Sequence, residues 1–211
     1  MPSVTRKPQA SRQERREQIE RRLLDATDRL MADGAGITEL SVDRLATEAG
    51  ISRATFYIYF EDKGHLLRRL ASQVFSDLTD AAQRWWKVAD RRDPADVRAA
   101  MAAIIAAYRR HQPVLVALNE MAPYDAAVGD TYRDLLDEVS DGFRSVIVEG
   151  QKTGAIRRSL HPETTANAFV LMVERTCQQN LPSKPVSFDA ELADTLTEIV
   201  WGALYLAPVP D

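Results

Sequence analysis

Apolar residues recur at spacings of three and four along nearly the whole 211-residue chain, and no stretch shows the strict alternation of a half-buried strand. Ile19, Leu23, Ala26 and Leu30 make one such stripe; Leu67, Leu70, Val74, Leu78, Ala81 and Trp85 make another. The breaks between stripes carry residues that stop and start helices. Gly34-Ala35-Gly36 follows the first stripe. Ser41 stands before "VDRLATEA" as an N-cap, and Gly50 follows as a left-handed stop. Ser52 caps a third short helix, and Glu61 or Asp62 opens a longer fourth. Asp93-Pro94 pairs an N-cap with a proline at the first helical position. Pro113 opens a short helix that Pro123 breaks, and a long helix runs from about 125 to 152 before Gly154. His161-Pro162 opens the next, and Phe188 to Leu206 form the last. The pattern predicts an all-α protein of about nine helices.

With 45% apolar residues the chain can build one large domain or two small ones. No stretch approaches the roughly 18 to 20 apolar residues of a membrane-spanning helix. The start, "MPSVTRKPQASRQERREQ", is polar and basic and lacks the apolar core of a secretory signal. One cysteine, Cys177, excludes a disulfide framework within the chain and agrees with a reducing compartment, so a cytoplasmic location is expected. The three histidines, His65, His111 and His161, lie far apart, and no metal spacing, phosphate loop or nucleophile elbow accompanies them. Neither an enzyme nor a cofactor or metal is expected.

The net charge of −4 is unevenly placed. Residues 1–65 balance 11 Lys and Arg against 11 Asp and Glu, so the acidic excess lies beyond them. Arg6, Lys7, Arg12, Arg15, Arg16, Arg21 and Arg22 make the first residues basic, which suits either an anionic partner or a solvated arm. Just downstream lies "AGISRATFYIYFEDK", residues 49–63. A short helix, a glycine turn and a second short helix follow the plan of a helix-turn-helix. Val42, Leu45, Ala49 and Phe56 are expected to close a small core with the first helix. Phe56 and Phe60, four apart, share its face, so Tyr57 and Tyr59 are expected on the outside with Ser52, Arg53, Ala54 and Thr55. Arg53 suits a phosphate or a guanine edge, a contact that discriminates between bases by about 1–3 kcal/mol when bidentate. Lys63, beside a helix N-terminus, suits a phosphate.

"LSVDRLATEAGISRATFYIYFEDKGHLL", residues 40–67, resembles the DNA-binding signature of the TetR family of transcriptional regulators, in particular its EthR-type members. The signature's aromatic cluster, lysine and paired leucines stand here as Phe56, Tyr57, Phe60, Lys63, Leu66 and Leu67. The resemblance implies DNA contacts from Ser41, Ser52, Arg53, Ala54, Thr55, Tyr57, Tyr59 and Lys63, with Arg53 and Thr55 reading bases and Ser41, Tyr57 and Lys63 holding phosphates. It also implies a division into a flexible basic arm (1–14), a DNA-binding domain (15–66) and an effector-binding and dimerisation domain (67–211). Two residues depart from the family pattern. Tyr59 replaces a common histidine, and Gly64 replaces the usual acid in the fourth helix's first turn.

For the C-terminal body the resemblance implies a small, largely apolar or amphiphilic effector and a homodimer on a palindromic operator. The expected pocket residues are Trp86, Ile105, Tyr108, Met121, Tyr124 and Phe143, with Ile147, Phe169, Met172, Val173, Glu174 and Trp201. For Glu174 and Arg175, an ion pair within the protein is the preferred alternative. The expected dimer contacts are Leu171 and Arg175 on the eighth helix and Leu196, Ile199, Val200, Ala203 and Leu204 on the ninth. Asparagines stand in EthR-type members where this chain has Val170 and Val173, so the same effector is not implied. Aromatic and methionine stripes are more often plain core than pocket. A regulator with a filled core and no effector is therefore the alternative reading.

Overall fold

The computed structural model describes residues 10–32 and 36–205, which form nine α-helices and one short 3-10 turn. The helices are α1 (Ala10–Ala32), α2 (Val42–Glu48), α3 (Arg53–Tyr59), α4 (Lys63–Trp86) and α5 (Pro94–Arg110). They continue as α6 (Gln112–Met121), α7 (Ala126–Thr153), α8 (Pro162–Asn180) and α9 (Phe188–Tyr205). Among the described residues there is no strand, and no helix is long and apolar enough to cross a membrane.

The start signals work as their chemistry dictates. Ser41 Oγ accepts from the Arg44 N–H at 3.2 Å, Ser52 Oγ from Thr55 at 2.9 Å and Asp62 Oδ1 from His65 at 2.6 Å. Asp93 and Asp125 cap α5 and α7 in the same way, whereas His161 makes no side-chain cap. Gly154 ends α7 in the left-handed conformation. Helix α1 begins at Ala10, within the stretch expected to form the basic arm, and the residues before it lie outside the described ones.

One continuous core runs from Ile19 to Tyr205. At its N-terminal end Leu23, Leu45, Ala49, Phe56 and Phe60 are buried, with Val42 packed half-buried beside them. At its C-terminal end α4, α5, α7, α8 and α9 pack around a shared centre. Helix α4 belongs to both ends: Leu66 and Leu67 are buried in its first turn and Trp85 in its last.

Candidate nucleic-acid interface and effector cavity

The turn between α2 and α3 is fixed from both sides. Gly50 has φ of +63°, a left-handed conformation that a side chain strains. Its carbonyl accepts from Arg22 Nη2 at 2.6 Å, and the Glu48 carbonyl accepts from Arg29 Nη2 at 3.2 Å. Two arginines of α1 thus satisfy the carbonyls at the end of α2, where positive charge also complements the helix dipole. Arg22, grouped by sequence with the basic start, has this structural task.

On α3, Arg53, Ala54 and Tyr57 are exposed, and Ile58 is 75% exposed. The Arg53 guanidinium donates from Nη1 to Asp43 of α2 and lies 5.5 Å from the centre of the Tyr57 ring. Asp43 raises the Arg53 pKa further above its already high value, so the cation is permanent. Thr55 and Ser52 share a hydrogen bond at 2.8 Å. Tyr59, expected on the outer surface, is half-buried and packs against the core. Ile58, not among the expected contacts, is exposed beside Tyr57; its place two residues from both buried Phe56 and Phe60 is the sequence signal for it.

Lys63 is placed differently from expectation. Its Nζ donates to the carbonyls of Ile37 at 3.1 Å, Thr38 at 3.0 Å and Leu40 at 2.9 Å. An ammonium has three N–H donors, and all three are engaged. In this structure Lys63 ties the start of α4 to the turn before α2 and leaves no donor for a phosphate. Nearby, a Cβ on Gly64 would lie 2.3 Å from Asp125 Oδ2. The missing acid in this helix start therefore lets the cap of α7 approach α4.

The second feature is an apolar cavity of about 80 Å³, partly open to solvent, in the C-terminal body. Among the expected residues, Trp86, Tyr108, Phe143, Phe169, Val173 and Glu174 line it. The Trp86 and Phe143 rings stack with centroids 6.0 Å apart. The remaining assignments are corrected. Tyr124 is 89% exposed, because it follows Pro123 in the corner between α6 and α7. Ile105 and Ile147 are buried elsewhere in the core, and Met121 and Met172 pack half-buried against it. Trp201 rests on Tyr205 with centroids 4.4 Å apart. The missed lining residues include Phe75, Leu78, Trp85, Met101 and Ile104.

Glu174 is buried at the cavity wall and accepts the Tyr132 phenol at 2.5 Å. Arg175 does not pair with it; it is exposed and donates to Gln178 at 2.7 Å. Burial raises the Tyr132 and Tyr108 phenol pKa values well above the ordinary range, with the Glu174 charge adding to the effect, so both rings stay neutral donors. Burial likewise pushes the Cys177 thiol up to about 12, which keeps it protonated and unreactive. Of the expected dimer contacts, Leu171 and Ile199 are 44% and 45% exposed, and Ala203 is half-buried. Leu196, Val200 and Leu204 are corrected: they are buried inside the protomer, and Val200 lines the cavity.

Residues 97–206 match the family described as the C-terminal domain of the transcriptional regulator EthR, and residues 23–70 match bacterial regulatory proteins of the tetR family. The chain belongs to the TetR family of regulators. Its body is of the EthR type, and members of this family are transcriptional regulators rather than enzymes. The transcriptional regulator EthR of Mycobacterium tuberculosis is 27% identical over 187 residues, covering 85% of this chain and 84% of that protein. FadR of Bacillus halodurans, described as a fatty acid degradation regulator, superposes with a TM-score of 0.73 at 13% identity, over 87% of this chain and 95% of its own. FadR of Bacillus subtilis, solved in complex with stearoyl-CoA, gives 0.71 at 15% identity over 87% of this chain and 98% of its own. At such identities the two structures establish the shared TetR-family fold alone.

Proposed function

We propose that this TetR-family regulator is a cytoplasmic homodimeric repressor that reads a palindromic operator with α3 and releases it when a small, largely apolar effector fills the cavity. The observation that carries the reading is the outward face of α3, where Arg53, Ala54, Tyr57 and Ile58 stay exposed beside a rigidly held turn. A surface with a cation, a phenol and an apolar side chain suits base edges and thymine methyls in a major groove. Thr55 reads a base beside Arg53, and Ser41, Ser52 and Tyr59 border the face and would position it on phosphates. The reading head is assigned to residues 15–66 and the body to 67–211. Exposed Leu171 on α8 and Ile199 on α9 supply an apolar face for a second copy. The cavity, lined almost wholly by apolar residues, favours an effector over the alternative of a filled core.

The test is capture of genomic fragments by the purified protein at about 150 mM salt, where non-specific phosphate attraction is weak. A recurring palindrome with half-site centres about 34–36 Å apart is expected. Absence of any enriched sequence would sink the reading. On the selected site, Arg53→Ala should weaken binding by about 1–3 kcal/mol and relax one base preference. Equal weakening on every sequence would make Arg53 a phosphate contact. Asp43 holds Arg53 in the free protein and adds a like charge beside the phosphates. Asp43→Asn should therefore tighten binding several-fold and steepen its salt dependence; unchanged binding in a salt titration would show the pair persists on DNA.

A further inference from the structure

The cavity is long and has two unlike ends. Phe75 and Trp86 both line it from α4, and their separation in sequence corresponds to about 16 Å along the helix axis. At the Trp86 end the lining is aromatic, with Phe143 and Phe169 beside the indole. At the Phe75 end stands Glu174, the one carboxylate among the lining residues, and no lysine, arginine or histidine lines the cavity with it. Tyr132, itself packed edge-on against Phe75, donates to Glu174 Oε1. A carboxylate has about four acceptor sites, so one phenol leaves most of them unmet. The sequence neighbour that could neutralise it, Arg175, is turned outward to Gln178.

A carboxylate held in an apolar wall without a counter-charge is costly unless a donor or cation meets it. We infer that the effector site selects an apolar chain ending in a cationic or hydrogen-bond-donating head, an alkyl amine by chemical class, and rejects the matching carboxylate. This inference rests on the effector-cavity reading. The ammonium meets the remaining acceptor sites of Glu174 while its chain runs toward Trp86; Tyr108 lines the same cavity, and Tyr132 keeps its bond to Glu174 Oε1. A carboxylate head would set two like charges side by side in a poorly solvated site.

Three probes with one tail test this: decylammonium, decanol and decanoate, titrated into the full-length protein below their aggregation concentrations and followed by calorimetry. Decylammonium should bind roughly tenfold or more tighter than decanoate, with decanol between them. Glu174→Gln, which keeps the size and a hydrogen-bonding group, should reduce that preference to about threefold or less, with decanol affinity changing less than decylammonium affinity. Tyr132→Phe returns one acceptor site to Glu174 and should preserve or enlarge the preference, which guards against a Glu174 variant that simply unfolds. Equal or reversed affinities in the unaltered protein overturn the head-group inference and leave the cavity reading intact. So does an ammonium preference that survives Glu174→Gln. Failure of all three probes to bind removes the cavity reading, and the inference with it.

Discussion

Gly50→Val is expected to abolish operator binding and to destabilise the reading head by roughly 2–3 kcal/mol. Left-handed backbone costs an ordinary L-residue about 1–2 kcal/mol, and a β-branched side chain fits it worst. The added Cβ would also lie 2.7 Å from Arg22 Nη2, so the arginine must leave the Gly50 carbonyl that it meets at 2.6 Å. Strain and a lost charge-assisted bond act on the same turn. Helix α3 has only seven residues and no intrinsic stability, so it depends on that turn and on Phe56 for its place. Urea unfolding followed by circular dichroism should show a lower midpoint at unchanged slope. Gly50→Asn accepts the left-handed backbone more readily and should lose less. Equal losses for valine and asparagine would show that the Arg22 contact, and not the backbone, dominates.

Lys63→Met should cost about 2–4 kcal/mol of stability, although methionine keeps most of the aliphatic stem. Three carbonyls lose a charged donor together, and bonds to charged groups contribute about 1.5–3 kcal/mol each before partial solvent exposure reduces them. The turn at residues 36–40 then loses its tie to α4, and DNA affinity should fall as a consequence of misplacement. Lys63→Arg should rescue little, since a planar guanidinium cannot point three donors at carbonyls converging on one ammonium. The decisive comparison is the unfolding midpoint without DNA. A midpoint equal to that of the unaltered protein would return Lys63 to the role of a phosphate contact.

The helix-turn-helix was legible because its signals are local. Ser41, Ser52 and Gly50 each act within four residues, and the structure uses them as caps and turn. The same holds for Asp93-Pro94 and for Asp125 with Gly154, which bracket α5 and α7. Lys63 was misread because its partners lie 23 to 26 residues away and are backbone carbonyls, which carry no sequence signature. The cavity was half legible for a related reason. Ile104 lines it and Ile105 does not, yet neighbours on a helix differ by only about 100° in direction. Periodicity gives the apolar face of α5 but not how that face is divided between cavity and filled core. Helix α9 shows the same limit: Val200 turns inward while Ile199, beside it, faces out. Gly64 was readable only as an absence, because the close approach of Asp125 belongs to packing between distant segments.

Helix α4 is an unbroken rod of 24 residues, about 36 Å long. Its C-terminal half walls the cavity, and its first turn is lashed to the reading head by Lys63. A rod of that length converts a tilt of about 3° into about 2 Å of travel at the far end, comparable to the margin by which a hydrogen bond to a base edge survives or fails. In mechanical terms the helix is a lever with its load at the DNA. On the proposed function, an occupant that wedged the Trp86 end by a fraction of its own width would need no refolding of the body to spoil the fit of a distant helix in its groove.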